Sequence, residues 1–253
     1  MKTGILITAR LGSTRLPKKH LLLVNGRPII TYLLDRIRIA FNSEMQSGQV
    51  ELIIATADEP LNREFEQNVE IGAKVFFGSQ TNIPLRHLQA ADAHKLDAII
   101  AVDGDDILCS TQGMKEIYSR LHNGIQYVKT CNLPFGMNVF GYSKEFLAAG
   151  LEKHRDATLE TGWGRIFDAT VLKEVAISNE PVDDKLRFTL DYPEDYDFFK
   201  TLICILGDSI NTAKDESIIG IVRQHELYKM TEAISGQYWE NFQRNMNDEK
   251  RSS

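Results

Sequence analysis

Short apolar runs alternate with amphipathic helical patterns along the first 130 residues, and this alternation is what most constrains the fold. The apolar runs predict strands at 5–8, 50–56, 73–77, 98–102 and 127–130. The patterns between them predict helices at 28–41, 60–71, 85–94 and 111–122. Strands that alternate with helices build a mostly parallel sheet with helices on both faces, and strands buried on both faces are apolar throughout, as these runs are. The sequence therefore predicts an α/β, Rossmann-like fold.

The segment 132–186 differs in character and predicts a small inserted arm within a single domain that spans 1–253. Gly162 and Gly164 break any helix that would run through the middle of this segment. A strand at 138–142 and a helix at 144–153 are expected inside it. The pattern that follows predicts a strand at 186–190, helices at 193–206 and 223–246, and a frayed polar tail at 247–253.

Composition excludes several classes of protein. The 253 residues carry a net charge of −6 at pH 7, and basic residues dominate no long stretch, so nucleic acid is not an expected partner. No apolar run approaches the length of a membrane span, which argues against membrane insertion. The three cysteines are widely spaced without a CxxC pair, which argues against a zinc site and favours reduced thiols in a cytoplasmic protein.

The loop after the first predicted strand is strongly basic, against the acidic balance of the whole chain. Arg10, Arg15, Lys18 and Lys19 fall within ten residues, among glycine and hydroxyl side chains. Open α/β sheets bind ligands at the carboxyl ends of their strands. Small residues let the backbone approach a phosphate, and cations neutralise it. The sequence therefore predicts a polyphosphate site at the end of the first strand.

Two groups of acidic residues follow other predicted strands. Asp103, Asp105 and Asp106 come after the strand at 98–102, and Asp191 comes after the strand at 186–190. Mg²⁺ binds through one or two carboxylates together with substrate phosphates, so both groups are candidate ligands. From the residues alone, an Asp-Gly turn explains the first group better, and Asp191 is equally well explained as the N-cap of the next helix.

The basic loop resembles the N-terminal signature of the sugar cytidylyltransferases, written roughly A-R-x-x-S-T-R-L-P-x-K. This family includes the enzymes that activate 3-deoxy-manno-octulosonate and acylneuraminate, and SpsF-like proteins. The match covers 9–19, with Lys18 where glycine is common, and N-G-R-P-I-I at 25–30 extends it. V-D-G-D-D-I-L at 102–108 resembles the family's V-Q-G-D-E-P-L, and the segment 187–195 resembles its R-L-T-V-D-x-P-E-D.

The resemblance implies a fold of the nucleotide-diphospho-sugar transferase type. It also implies an activity, the transfer of CMP from CTP to a sugar acid with release of pyrophosphate, for surface polysaccharide synthesis. CTP and the sugar acid are then the expected partners, and the arm at 132–186 is expected to supply the contacts of a homodimer.

The resemblance also implies roles for individual residues. Asp105 and Asp191 are expected to bind Mg²⁺, the one expected cofactor. Arg10 and Lys19 are expected to be catalytic, stabilising the α-phosphate and the leaving pyrophosphate. The expected nucleotide-binding residues are Ala9, Arg10, Ser13, Arg15, Lys19 and Asp103. The residues expected to bind the sugar are Arg86, Asn138 and Glu160, with a surface helix position as the alternative for Arg86. The other histidines, His87 among them, are expected to be solvated or capping, whereas His20 could lie near phosphate.

Two alternatives remain open. Asp103 stands where the octulosonate enzymes have glutamine, and an ionised aspartate accepts but cannot donate hydrogen bonds, so another nucleoside triphosphate is one alternative. The loop lacks the glycine-rich L-x-x-G-x-G-x-R-M form of many uridylyl and guanylyl transferases. The second alternative is a glycosyltransferase or a nucleotide-sugar binding protein, because Asp103-Gly104-Asp105 fits the D-x-D motif.

Overall fold

The structure, a computed structural model, describes residues 1–69 and 73–252. Its strands are β1 (Thr3–Thr8), β2 (Leu23–Val24), β3 (Arg27–Pro28), β4 (Val50–Ala57), β5 (Lys74–Gly78), β6 (Ala98–Asp103), β7 (Tyr127–Cys131), β8 (Phe140–Ser143) and β9 (Lys173–Ala176). Strands β2 and β3 form a small separate hairpin. The other seven form one sheet in the order β5-β4-β1-β6-β8-β7-β9.

The sheet is mostly parallel. Strand β1 is third in this order and pairs in parallel with β4 and β6, and β4 pairs in parallel with β5. Strand β8 runs antiparallel to both β6 and β7, while β7 and β9 are parallel. The α-helices are α1 (Ile30–Ala40), α2 (Asn42–Gln46), α3 (Glu64–Asn68), α4 (Ile83–His94), α5 (Thr111–His122), α6 (Lys144–Leu151), α7 (Pro193–Leu206), α8 (Asp215–Gln224) and α9 (Glu232–Ser252).

Helices cover both faces of the sheet because successive strand residues point to opposite sides. On one face, Ile5 and Ile7 of β1 share a fully buried cluster with apolar side chains of α1 and α5. On the other face, Leu6 packs in a second cluster with α4 and α6. The alternation of apolar runs thus predicted the architecture correctly, and the α/β fold with helices on both faces is confirmed.

A third apolar cluster lies beside the sheet, where α7 and α8 pack around Phe188 and Leu190. These two residues belong to the predicted strand at 186–190, which is instead an extended segment outside the sheet with one isolated bridge, between Phe135 and Arg187. Its amides donate to two loops, from Phe188 N to Phe135 O at 2.8 Å and from Leu190 N to Asp105 O at 2.9 Å. The prediction of a strand was wrong because its hydrogen-bond partners are loops.

Several predicted boundaries also shift. Pro28 lies in β3, and α1 begins after it. The helix predicted at 60–71 is a 3-10 turn (Pro60–Arg63) followed by α3, and its residues 70 and 71 lie outside the described residues. The terminal helix α9 begins later than predicted and continues through 247–252, where a frayed tail was expected. The tail is ordered because Glu249 accepts a hydrogen bond from Thr161 N at 2.8 Å.

The segment 132–186 contributes β8 and β9 to the main sheet and α6 to one of its faces. Its expected role in a homodimer stays a prediction. Within 1–69 and 73–252, none of the helices combines the length and the apolar character needed to cross a membrane.

Candidate active site

The basic loop after β1 and the acidic loop after β6 meet at the carboxyl edge of the sheet. The register pairs Thr8 with Asp103, and Gly104 N donates to Thr8 O at 2.8 Å. A Cβ atom at Gly104 would lie 2.9 Å from both the Thr8 carbonyl oxygen and the Ala9 Cβ atom. Glycine therefore allows the two loops to approach, and Ala9 is buried in their contact rather than open to solvent.

Lys19 is the centre of the site. Its side chain is 6% exposed, and its ammonium lies 2.7 Å from Asp105 Oδ2 and 3.1 Å from Asp191 Oδ1. Burial alone would lower the pKa of Lys19, but the carboxylates of Asp105 and Asp191 outweigh it and raise the pKa. Lys19 is therefore a permanent buried cation that joins two acidic segments 86 residues apart.

Asp105 has a second partner, His20, whose Nε2 lies 2.9 Å from Asp105 Oδ1. Burial opposes ionisation of Asp105, but the charge of Lys19 and the contact with His20 hold its pKa below the ordinary value. His20 is itself buried and bonds the Arg10 carbonyl through Nδ1 at 3.1 Å. The histidine at the end of the loop thus positions an acidic residue of the site.

Asp191 is surrounded by hydrogen-bond donors. Besides Lys19, it accepts from Arg15 at 2.7 Å, from Arg187 at 3.2 Å and from the Thr189 hydroxyl at 3.3 Å. The alternative of an N-cap does not apply, because α7 begins at Pro193 and its N-cap is Tyr192, and the amides of Asp191 and Tyr192 both donate to Asp195.

Arg187 is a residue of the site that the sequence interpretation missed. Its guanidinium binds both oxygens of Asp195, at 3.0 and 3.1 Å, while also reaching Asp191. Because the amides of Asp191 and Tyr192 hold the Asp195 carboxylate, Arg187 links Asp191 to a fixed group. The signal was present in the sequence, since Arg187 opens the R-F-T-L-D segment that ends at Asp191.

The acidic loop places further carboxylates beside this cluster. The side chain of Asp103 is exposed in the cleft, yet desolvation by the surrounding protein and then the charges of Asp105 and Asp191 raise its pKa to about 7. Desolvation and the Asp103 charge also raise the pKa of Asp106. In its protonated form the Asp103 carboxyl group can donate a hydrogen bond as glutamine does.

Each of the four cations of the basic loop has a carboxylate partner. Arg10 binds Glu160 at 2.8 and 2.9 Å, and Lys18 binds Glu64 at 2.7 and 2.8 Å. Arg15 and Lys19 both bind Asp191. Lys18 adopts the left-handed backbone conformation, with φ of 50°, which explains why glycine is common at this position in the resembled family.

The remaining predicted residues are held by protein groups. The Ser13 hydroxyl accepts from Leu16 N at 3.3 Å. Asn138 donates to Leu133 O at 2.8 Å and accepts from the Thr130 hydroxyl at 3.2 Å. The sugar-binding role expected for Asn138 stays a prediction.

Arg86 is buried, so the alternative of a surface helix position was wrong. Its guanidinium donates to Ser79 O at 2.8 Å and Gln80 O at 3.1 Å, and burial lowers its pKa to about 10, although nearby Glu160 opposes this. His87 was expected to be solvated but is fully buried, bonded to Thr8 at 2.8 Å and to Tyr142 at 2.6 Å.

The C-terminal helix α9 lies against the site, which the sequence did not reveal. The Tyr238 ring centroid is 4.1 Å from Arg187 Cζ, and Asn241 donates to the Tyr192 hydroxyl at 2.8 Å. Burial, and next the charge of Asp191, raise the pKa of Tyr238, so its phenol stays protonated.

The donor set fits Mg²⁺. Asp105 and Asp191 present carboxylate oxygens to one point, now held by the Lys19 ammonium, and Mg²⁺ prefers oxygen ligands and needs few from the protein when phosphates complete its shell. Throughout the described part of the chain, no group of three or more His, Cys, Asp or Glu side chains is arranged to enclose a metal ion.

A parallel sheet with a cation-rich loop and converging carboxylates at its carboxyl edge defines a nucleotide-binding α/β protein. Residues 4–153 match the family model described as Cytidylyltransferase, so the chain belongs to the cytidylyltransferase family.

Individual relatives agree with this. The chain is 26% identical over 235 residues to the spore coat polysaccharide biosynthesis protein SpsF of Bacillus subtilis, covering 90% of this chain and 97% of the relative. It is 32% identical over 122 residues to 3-deoxy-manno-octulosonate cytidylyltransferase 2 of Hydrogenovibrio crunogenus, a match that spans only 46% of each protein.

Solved structures give the same result. A cytidylyltransferase from Leptospira borgpetersenii superposes with a TM-score of 0.73 at 26% identity, covering 90% of this chain and 96% of that one. CMP:2-keto-3-deoxy-manno-octonic acid synthetase complexed with CTP gives 0.59 at 15% identity, covering 81% and 99%, which supports the fold alone.

Proposed function

We propose that the protein is a Mg²⁺-dependent cytidylyltransferase that transfers CMP from CTP to a sugar acid of the octulosonate or nonulosonate kind and releases pyrophosphate. The observation that carries the proposal is the convergence of Asp105 and Asp191 on Lys19 of the basic loop. The names of the relatives support a sugar acid and a role in surface polysaccharide synthesis. A cytoplasmic location and a homodimer belong to the same proposal.

In this reaction an oxygen of the sugar attacks the α-phosphorus of CTP while the bond to pyrophosphate breaks. Negative charge builds on the phosphoryl oxygens and on the leaving group, so catalysis consists mainly of positioning and electrostatic stabilisation. Lys19 and Arg10 supply the positive charge, and no covalent protein nucleophile is needed. Arg10 must exchange Glu160 for a phosphate oxygen before it can act.

The remaining residues bind and orient. Asp105 and Asp191 would hold Mg²⁺, which when bound would neutralise phosphate charge and lower the repulsion that faces the incoming oxygen. The residues proposed to face the base and ribose are Ala9, Ser13, Arg15 and Asp103. Glu160, Arg86 and Asn138 are proposed to lie toward the sugar, and the electrostatic coupling of Arg86 to Glu160 and Arg10 supports this for two of the three.

Thermal melting with CTP, UTP, GTP and ATP, each with and without Mg²⁺, tests the nucleotide half of the proposal. A ligand at about 100 times its dissociation constant adds roughly 2.7 kcal/mol to the free energy of unfolding. For a chain of this size that is about 5–10 °C in Tm. We expect the shift with CTP and Mg²⁺ only. A shift with another triphosphate would reassign the base, and no shift with any would contradict the proposal.

Pyrophosphate release with 3-deoxy-manno-octulosonate and N-acetylneuraminate then tests the acceptor. Asp105→Asn should abolish both the Mg²⁺-dependent melting shift and pyrophosphate release. Asp92→Asn is the matched control, because Asp92 is an exposed carboxylate on α4 that pairs with Lys144 at 2.6 Å. Equal activity of the Asp105 variant and the control would remove Asp105 from the site.

A further inference from the structure

The C-terminal helix α9 presents aromatic side chains at the carboxyl edge of the sheet, beside the acidic cluster. The Tyr238 ring lies over the guanidinium of Arg187, which holds Asp191. Phe135, from the loop after β7, lies 5.3 Å from the Tyr238 ring and 5.0 Å from the Trp239 ring. Three aromatic rings from two distant parts of the chain therefore form one continuous surface next to a proposed metal ligand.

This surface is open although the helix that carries it is firmly placed. Trp239 is 47% exposed and Phe135 is 36% exposed. Around them α9 is fixed by Asn241 on the Tyr192 hydroxyl, by Glu249 on Thr161 N, and by Met246 packed against Gly162. Because the helix is fixed at these points, the exposure of Trp239 does not result from fraying of its end.

The surface also offers a hydrogen-bond donor. Among the described residues, nothing accepts a hydrogen bond from the Tyr238 hydroxyl, although the ring is enclosed between Arg187, Phe135 and Phe242. Binding sites for small molecules combine aromatic walls with a few such polar groups. A sugar ring has this double chemistry, since its C–H face is apolar and its hydroxyls are polar.

We propose that Tyr238 and Trp239 of α9, together with Phe135, bind the acceptor sugar: the Trp239 and Phe135 rings pack on its C–H face, and the Tyr238 hydroxyl donates to one of its oxygens. This inference rests on the proposed transfer of CMP to a sugar acid. It adds Tyr238 and Trp239, which lie beyond the residues 4–153 that match the family model, to the groups proposed to bind the sugar.

The loop at 160–162, which α9 contacts, supports this position. Gly162 adopts a left-handed conformation, with φ of 57°, and a Cβ atom there would lie 2.6 Å from the Met246 sulfur. The loop at 160–162 therefore packs closely against α9. Glu160 in the same loop binds Arg10 of the basic loop. Helix α9 thus connects the aromatic surface to the loop that holds Arg10, one of the groups proposed to bind phosphate.

Steady-state pyrophosphate release tests the inference, with saturating CTP and Mg²⁺ and varied 3-deoxy-manno-octulosonate or N-acetylneuraminate. We expect Trp239→Ala to raise the KM for the sugar acid by about tenfold or more, and Tyr238→Phe to raise it several-fold, with the KM for CTP unchanged in both. Ile205→Ala is the matched control, because Ile205 is 41% exposed on α7, outside the aromatic surface. It should leave every constant unchanged.

Three results would overturn the inference. One is a KM pattern that does not single out the sugar acid: either its KM is unchanged in both variants, or the KM for CTP rises by the same factor. Another is a dimer that Trp239→Ala converts to a monomer in sedimentation, which would make the surface a self-association face. The third is a wild type that binds CTP with Mg²⁺ but shows neither turnover nor a change in tryptophan emission with either sugar acid. A wild type that does not bind CTP refutes the proposed function itself and is recognised by the absence of any melting shift.

Discussion

Lys19→Met removes the cation between Asp105 and Asp191 and leaves two carboxylates facing each other at a buried position. Taking away one partner of a buried ion pair costs about 3–5 kcal/mol, because the remaining charge is left uncompensated. Arg15 and Arg187 still contact Asp191, at 2.7 and 3.2 Å, so we expect the lower end of this range. At about 2–4 °C per kcal/mol for a chain of this size, Tm should fall by roughly 6–12 °C.

Lys18→Met is the matched control for this change. Lys18 is the neighbouring lysine, but its side chain is 48% exposed and pairs with Glu64 on the surface. An exposed ion pair contributes about 1 kcal/mol or less, so the control should lower Tm by no more than about 4 °C. The difference between two adjacent lysines therefore isolates the effect of the buried position.

Magnesium gives the prediction a second, independent measurement. If Asp105 and Asp191 form a divalent-cation site, Mg²⁺ can replace the missing ammonium in Lys19→Met, and it should raise the Tm of this variant more than that of the wild type. Differential scanning fluorimetry with and without MgCl₂ measures both effects. Equal Tm values for Lys19→Met and Lys18→Met would refute the reasoning about the buried pair, and an equal Mg²⁺ response of all three proteins would refute the metal site.

Further changes test other parts of the structure. Burial, and then the charge of Arg86, lower the pKa of His87 to about 3 from 6.5. Below pH 6.5 the unfolded chain therefore binds a proton at His87 that the folded chain excludes. Near pH 5 this proton lowers the free energy of unfolding of the wild type by about 2 kcal/mol. The variant His87→Gln should not show this loss, and urea denaturation across pH measures the difference. Gly136→Ala should lower the free energy of unfolding by about 2 kcal/mol or more, because the new Cβ atom would lie 2.3 Å from Phe188 O. Gly124 has the same φ of 85°, but a Cβ atom there would meet no neighbouring atom within 4 Å, so Gly124→Ala should lower it less. Equal melting temperatures of the two variants would contradict the clash at Gly136.

The sheet and its helices could be predicted because a strand that is buried on both faces is a continuous apolar run in the sequence. Ile5 to Ile7 are fully buried between two layers of helices, and their apolar run states this directly. An apolar run also predicted a strand at 186–190, and this was wrong. Phe188 and Leu190 are equally buried, but their amides donate to loops. An apolar run reports burial, and it does not report which backbone groups accept its hydrogen bonds.

Motifs named Lys19, Asp105 and Asp191, which converge in the structure, but they did not predict how these residues pair or that Arg187 joins them. Lys19 and Asp191 are 172 residues apart, and no spacing in the sequence predicts that one ammonium touches two acidic segments. The polar tail is likewise ordered by a contact between residues 88 positions apart, the hydrogen bond from Thr161 N to Glu249. His87 of α4 was expected to be solvated or capping because its partners, Thr8 of β1 and Tyr142 of β8, are distant in the sequence.

The pairing of every cation in the basic loop with a carboxylate has a consequence for ligand selection. A loop whose charges are already balanced projects little positive potential into solution, so it does not attract small anions over a distance. An inorganic phosphate that displaced Glu160 from Arg10 would gain one partner and leave that carboxylate unpaired. A triphosphate can engage several of these cations in a single binding event. If the protein binds a triphosphate as proposed, these balanced charges would favour it over a monophosphate, because only the triphosphate can replace several carboxylates at once.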